Sequence, residues 1–279
     1  MNLIGLKTTQ PMERDGDSSI AESSAVRLVD VGHIYRTRSG PVTAIDSVST
    51  EIAENEFIAV VGPSGCGKST LLKIIASLIL PSQGQVERFG MRADKPTPDI
   101  GMVFQAPVLL NWRNVLDNVL LPIEILGYSR KQYREKAMHL LERARISDFA
   151  SKYPRELSGG MQQRVAICRA LVYDAKLLLM DEPFGALDAL TRDHMNEELL
   201  RLWSEERKTT LLITHSISEA VFLADRVMVM CHRPGRIMRD IPIELPRPRD
   251  PAVRTSTEFT DYVRAILAEL TASAEDGRL

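Results

Sequence analysis

The sequence predicts an α/β fold built on a parallel sheet, with a small antiparallel β unit ahead of it and a helical insertion within it. Three observations carry this expectation. Short apolar runs at Phe57–Val61, 100–104, 177–180, 210–214 and 227–230 have the length and β-branched content of buried strands. Amphipathic stretches at helical spacing alternate with them, the order that yields parallel sheets. The first run passes straight into Gly62-Pro63-Ser64-Gly65-Cys66-Gly67-Lys68-Ser69, a glycine-rich turn followed by Leu71, Leu72, Ile74, Ile75 and Leu78 on one helical face.

That turn fits G-x-x-x-x-G-K-[ST] without mismatch, in the strand–turn–helix context the pattern requires. Glycines let backbone N–H groups curl inward into an anion-binding nest, and the helix start adds free donors and a positive dipole end. Lys68 then supplies a point charge for the β- and γ-phosphates of a nucleotide, and the Ser69 hydroxyl can ligate Mg²⁺. Cys66, at a helix start beside Lys68, is expected to be a thiolate-prone cysteine open to thiol reagents.

Composition narrows the class. The chain has 279 residues, 44% hydrophobic and 26% charged, as in an ordinary globular protein, and is long enough for one large domain with appendages. A net charge of −2 gives no electrostatic footprint for nucleic acid. No apolar run reaches a membrane span, and no secretory signal pattern opens the chain. Three cysteines without close spacing argue against disulfides and for a reducing, cytoplasmic compartment.

Residues 1–25 are polar and aperiodic and are expected to form a mobile tail. From Val26 the pattern alternates, breaks at Ser39-Gly40-Pro41 and alternates again to Ile52, which predicts the antiparallel unit. Tyr35 within it is equally suited to stacking on a base and to plain packing. After a further strand at 84–89, the run 100–104 ends at Gln105, a strand tip where open α/β sheets place ligands. Gln105 can reach a metal-bound water, or an attacking water, or serve only as a polar terminus.

Residues from about 107 to 165 lack strand signals and predict the helical insertion. Trp112, Val115, Leu116, Val119 and Leu120 suggest one helix, and 130–145 another with Ala137, Leu140, Leu141 and Ala144 inward. Ser158-Gly159-Gly160 precede a helical run and make a second bare helix start able to hold a phosphate. The strand 177–180 closes on Asp181 and Glu182. Adjacent strand residues point to opposite sides, so one acid can serve a Mg²⁺ shell while the other polarises a water. His215 stands at the tip of 210–214, on the same sheet edge as Gln105 and Asp181. The other histidines are read as surface or packing residues. The Pro/Arg-rich stretch 246–251 reads as a linker. A helix over 255–272 follows, with Thr255 and Glu258 matching a capping box.

Taken together, GPSGCGKST (62–70), Gln105, LSGGMQQR (157–164), LLLMDEP (177–183), GALD (185–188) and THS (214–216) resemble the nucleotide-binding subunit of ATP-binding cassette (ABC) transporters, over roughly 26–240. LSGGMQQR discriminates, since phosphate-loop proteins at large lack it. The stretches 109–127, 157–171 and 215–237 are similar to importer ATPases serving nitrate, aliphatic sulfonates, taurine and pyrimidine precursors, though Asn111 and Cys168 replace residues common there.

The resemblance implies a P-loop NTPase core over 26–245, followed by a linker and C-terminal amphipathic helix over 246–279. It implies an ATPase, with Mg²⁺ accompanying ATP, in which two copies close head to tail. Each ATP lies on Gly62, Pro63, Ser64, Gly65, Cys66, Gly67, Lys68, Ser69 and Thr70 of one copy, under Ser158, Gly159 and Gly160 of the other. Tyr35 stacks on adenine; Ser69, Gln105 and Asp181 hold Mg²⁺ directly or through water. Glu182 is the general base, His215 fixes the γ-phosphate and attacking water, and Asp188 bridges the copies. The implied partners are a second copy and membrane permease subunits, with an extracytoplasmic solute-binding protein acting indirectly. The implied place is the cytoplasmic face of the inner membrane, peripherally bound. A soluble ABC ATPase uncoupled from transport is the alternative, and a phosphate-loop kinase of small molecules is disfavoured by LSGG.

Overall fold

A computed structural model describes residues 24–185, 187–231 and 234–276. The expected tail therefore lies outside the described residues apart from Ser24 and Ala25, and so does His232.

The chain opens with two long strands, β1 (Ser24–Thr37) and β2 (Gly40–Ala53), paired antiparallel through a tight turn at residues 38–39. With β4 (Gln83–Arg88) and β5 (Met91–Arg92) they form one antiparallel sheet in the order β2-β1-β4-β5. The second sheet has six strands. It takes β3 (Phe57–Val61), β6 (Ile100–Val103), β7 (Leu177–Asp181), β8 (Thr209–Ile213), β9 (Arg226–Met230) and β10 (Ile237–Pro242) in the order β10-β9-β3-β8-β7-β6. All but β10 run parallel. Parallel strands covered on both faces must be apolar throughout, and β3, β8 and the first four residues of β7 are buried without interruption. Two cores result: β1, β2, β4 and α1 (Lys68–Ile75) enclose one, and the helices of the insertion pack on the other.

Because the strands are parallel and in register, their carboxyl ends lie along one edge. Val103 stands beside Met180, Asp181 beside Ile213, and Val60 beside Ile213. The phosphate loop, Gln105, Asp181, Glu182 and His215 therefore leave the sheet on the same side, as their places in the sequence require.

The insertion differs from expectation in detail. The single helix expected around residue 115 is two short ones, α2 (Val115–Val119) and α3 (Leu121–Ile125), because Pro122 can open a helix but cannot continue one. Trp112 lies ahead of α2, which Asn114 caps by accepting from the Asp117 N–H at 2.7 Å, and its side chain is 74% exposed. Next come α4 (Arg130–Arg143) and α5 (Gly159–Leu171), then α6 (Ala189–Glu206) and α7 (Ile217–Leu223) against the main sheet. The glycines expected to precede α5 are its first turn, and Ser158 caps it by accepting from the Met161 N–H at 3.3 Å.

The stretch 246–251 has no regular structure, but it is docked. Arg249, 5% exposed, donates to the carbonyls of Val221, Phe222 and Ala224 at 2.7–3.0 Å, and Arg247 to that of Leu223 at 2.7 Å. These are the open carbonyls at the carboxyl end of α7. A 3₁₀ turn (Pro251–Thr255) leads to α8 (Thr257–Asp276). Its cap is Ser256, which accepts from the Phe259 N–H at 3.1 Å; Thr255 instead donates to the Ala252 carbonyl.

Candidate active site

β3 delivers the chain to Gly62, and α1 carries it away from Lys68. In between, Gly67 has φ 103°, and a Cβ there would stand 2.6 Å from the Ala44 carbonyl oxygen, so both backbone angle and space demand glycine. The Lys68 ammonium lies inside the turn, donating to the carbonyls of Gly62 at 2.8 Å and Pro63 at 2.9 Å. It is 7% exposed and sits at the start of a helix, which concentrates positive charge where a phosphate would enter. Ser64 and Gly65 form the exposed rim. Thr70 meets the Tyr35 hydroxyl at 3.3 Å, which ties the antiparallel sheet to the loop; the Tyr35 ring is 36% exposed and packs edge-on against His33.

Two polar clusters flank the loop. In the first, Ser69 Oγ donates to Asp181 Oδ1 at 3.0 Å. Burial pushes the Asp181 carboxyl above the usual carboxylate range, opposed by the Ser69 hydrogen bond and reinforced by the charge of Glu182. A half-buried carboxylate paired with a hydroxyl at a helix start is an oxygen donor set that a hard divalent cation would relieve, so these residues fit Mg²⁺. In the second, Glu182 Oε2 accepts from Gln105 Nε2 at 3.2 Å and lies 3.4 Å from His215 Nδ1. Glu182 takes φ 45°, a left-handed angle that costs a non-glycine residue about 1 kcal/mol or more, and its N–H donates to the Ile213 carbonyl at 2.9 Å. The turn separates the acids. Asp181 faces the phosphate loop and Glu182 faces the other strand tips.

Among the described residues, the contacts of Ser158, Gly159 and Gly160 lie outside these two clusters. Ser158 and Gly159 are exposed at the start of α5, and Gly160 faces Leu187 and Thr191. Asp188 is exposed and caps α6 by accepting from the Thr191 N–H at 3.0 Å, which holds its carboxyl below the usual range.

Cys66 departs from expectation. It is 1% exposed, and burial pushes its thiol up, outweighing the Lys68 charge that pulls it down. A helix start favours thiolate only where solvent or a donor can hold the charge.

Three residues with no chemical signature support the site. Gly235 backs the phosphate loop so closely that a Cβ there would stand 2.0 Å from the Cys66 carbonyl oxygen. From α5, buried Gln163 donates to the Phe104 carbonyl at 3.1 Å, and Arg169 to those of Val108 and Pro107 at 2.8 and 2.9 Å. Together they pin the segment that carries Gln105. A glutamine on the inward face of a helix was the one available hint.

The family model described as ABC transporter matches residues 45–185. The chain is 45% identical over 258 residues to an ABC transporter ATP-binding protein of Methanocaldococcus jannaschii, covering 92% of this chain and 96% of that one. It is 46% identical to a taurine import ATP-binding protein of Rhizobium johnstonii (74% of this chain, 79% of the other). It is 41% identical to a nitrate import ATP-binding protein of Synechocystis (85% and 91%). Among solved structures it is similar to a dimeric ATP-binding cassette in a post-hydrolysis state bound to ADP and Pi. There the TM-score is 0.70 and the identity 34%, with 79% of this chain and all of the other covered. On the matched residues, the identity to these relatives and the shared fold, the chain belongs to the ABC transporter family and carries its ATP-hydrolysing cassette.

Proposed function

We propose that this ATPase is the energy subunit of an importer, working as a head-to-tail pair of copies beneath a separate membrane permease. The observation that carries the catalytic part is the convergence of Lys68, the Ser69–Asp181 pair and the Gln105–Glu182–His215 cluster on one sheet edge. In this reading the loop from Gly62 to Thr70 cradles the phosphates and Tyr35 lies against the adenine. Ser69, Asp181 and Gln105 would hold Mg²⁺ directly or through water, and the ion would supply neutralisation of phosphate charge. Glu182, free of the metal pair, takes the proton of the attacking water, and His215 orients that water and the γ-phosphate.

Ser158 and Gly159 are exposed at the start of α5 beside Gly160, and in this reading that helix start acts on the other copy's nucleotide. The dimeric arrangement of the similar cassette supports that assignment, with Asp188 bridging the copies. ATP then acts as glue: its charge is neutralised from both sides, and hydrolysis removes the differential that held the pair closed.

Exposed apolar side chains on the insertion, Val108, Trp112, Ile125 and Tyr128, support docking of a permease segment there. No helix among the described residues is long and apolar enough to cross a membrane; in this reading the permease is a separate chain. The chain then sits peripherally on the cytoplasmic face of the inner membrane, with a solute-binding protein on the far side. The names of the taurine and nitrate relatives support nitrate, a sulfonate or taurine as the solute, with a pyrimidine precursor as a further member of the group.

The test is Glu182→Gln. Steady ATP turnover should fall by about a hundredfold or more while ATP binding persists, and light scattering should show a dimer that forms only with ATP. Normal turnover by the variant removes Glu182 from its role. A monomer at saturating ATP removes the shared site.

A further inference from the structure

β8 ends at Ile213, and the chain turns through Thr214, His215 and Ser216 into α7. His215 itself is half exposed, so packing does not fix its ring. Its neighbours are fixed instead by one acidic side chain. Thr214 Oγ1 donates to Glu219 Oε2, the Ser216 N–H donates to Thr214 Oγ1 at 3.0 Å, and the Glu219 N–H donates to Ser216 Oγ at 3.3 Å. Both Thr214 and Glu219 are buried, at 2% and 3% exposure.

This carboxyl group is incompletely satisfied. Its second oxygen, Oε1, is buried without a hydrogen-bond partner. The charged groups acting on it come from three elements: Arg192 of α6, Arg254 of the 3₁₀ turn before α8, and Glu182 after β7. Arg254 reaches in from the C-terminal segment, its guanidinium 4.1 Å above the Phe222 ring and paired with Asp193 of α6. Arg254 Nε and Nη2 are likewise buried without partners. Arg192 meanwhile donates to the carbonyls of Phe184 and Leu187, the turn between Glu182 and Asp188. Leaving a buried acceptor and buried donors unpaired costs stability that an apolar pair of the same shape would not.

We propose that Glu219 is the positioning residue for His215, with Arg254 as its counter-charge, so that the C-terminal segment helps set the geometry of ATP hydrolysis. The inference rests on the reading of His215 as a site residue. Ionised Glu219 accepts the Thr214 hydroxyl as a charge-assisted bond, about twice as strong as a neutral one, and stiffens the turn on both sides of His215. Burial holds its carboxyl up to about 7, against the pull of Thr214, Arg192 and Arg254, so both charge states are populated near neutrality.

The experiment measures kcat and KM for ATP in the full chain across the pH range around neutrality, for Glu219→Gln, Thr214→Val, Arg254→Met and His215→Ala. The parent's kcat should rise with pH near 7; Glu219→Gln should lower kcat about tenfold with KM within about twofold, and should lose that rise. Thr214→Val should share the defect, and the double variant should be no worse than either single one. Arg254→Met should move the rise to higher pH, since a charge favouring the ionised form has gone; it carries the test if Glu219→Gln does not fold. An unaltered kcat and pH profile in Glu219→Gln, with His215→Ala inactive, overturns the proposal alone. A fully active His215→Ala removes the reading of His215 and the proposal with it.

Discussion

Lys68 and Glu219 are buried and Asp181 is half-buried, and the protein handles each ionisable group differently. Lys68 is satisfied by backbone carbonyls, Asp181 by one hydroxyl, and Glu219 by one hydroxyl with an oxygen left over. The last has a consequence for stability. The folded protein holds Glu219 at about 7 against an ordinary value of 4.5, so between those limits it binds a proton that the unfolded chain releases. The stability this confers is complete below about 4.5 and is lost as pH rises through about 7, on the order of 3 kcal/mol. Urea unfolding of Glu219→Gln should lack this part of the parent's decline between the two pH limits; an identical decline would show that other groups carry it. Glu219 was not legible beforehand, because a glutamate four residues past a strand-tip histidine reads as an exposed helix residue. The same holds for Cys66: its neighbours in the chain suggest thiolate, and its burial, in one core with Met230 and with Sγ turned toward Gly62, comes from packing.

At the scale of elements, α7 is short and needs outside help at both ends. Ser216 caps its start, and Arg247 and Arg249 cap its carboxyl end. Burial lowers the Arg249 guanidinium to about 10, still charged at neutral pH and worth its desolvation only because the α7 carbonyls receive it. Arg249→Met would leave those carbonyls buried and unpaired, with an expected cost of roughly 2–4 kcal/mol read as a lower urea midpoint. A loss under about half a kcal/mol would mean that the stretch is a tether after all. The elements themselves were largely readable. Apolar runs locate the parallel strands, and 3.6-residue periodicity locates α4 and α8. Trp112 was misplaced because large apolar residues were assumed to face inward. Residues 246–251 read as a linker in the sequence because proline and arginine signal exposure unless a partner is seen.

For the whole molecule, the decisive pair of features is the phosphate loop and the exposed helix start at Ser158 and Gly159. In the proposed reading each copy is half of two sites. Mixing a Lys68→Ala chain with a Gly160→Asp chain, each inactive alone, should then restore turnover, since one pocket in the mixed pair is free of either change. Absence of any recovery, with mixed dimers shown to form, would place the whole site within one copy. The direction in which the α5 start points could not be taken from the motif, because a helix start that can hold a phosphate is the same object whether the phosphate is its own or a neighbour's.

The sequence by itself determined the chemistry and the side of the sheet on which it gathers. A parallel strand has one carboxyl end, so residues that follow apolar runs must collect at one edge whatever the details of packing. Burial and second partners come from the tertiary structure: that Asp181 faces Ser69 while Glu182 faces Gln105 and His215, that Gly235 lies against the loop, and that Arg254 returns from the C-terminal segment to lie over Phe222 of α7, the helix that carries Glu219. Those facts depend on contacts between residues far apart in the chain, which local patterns of polarity do not encode.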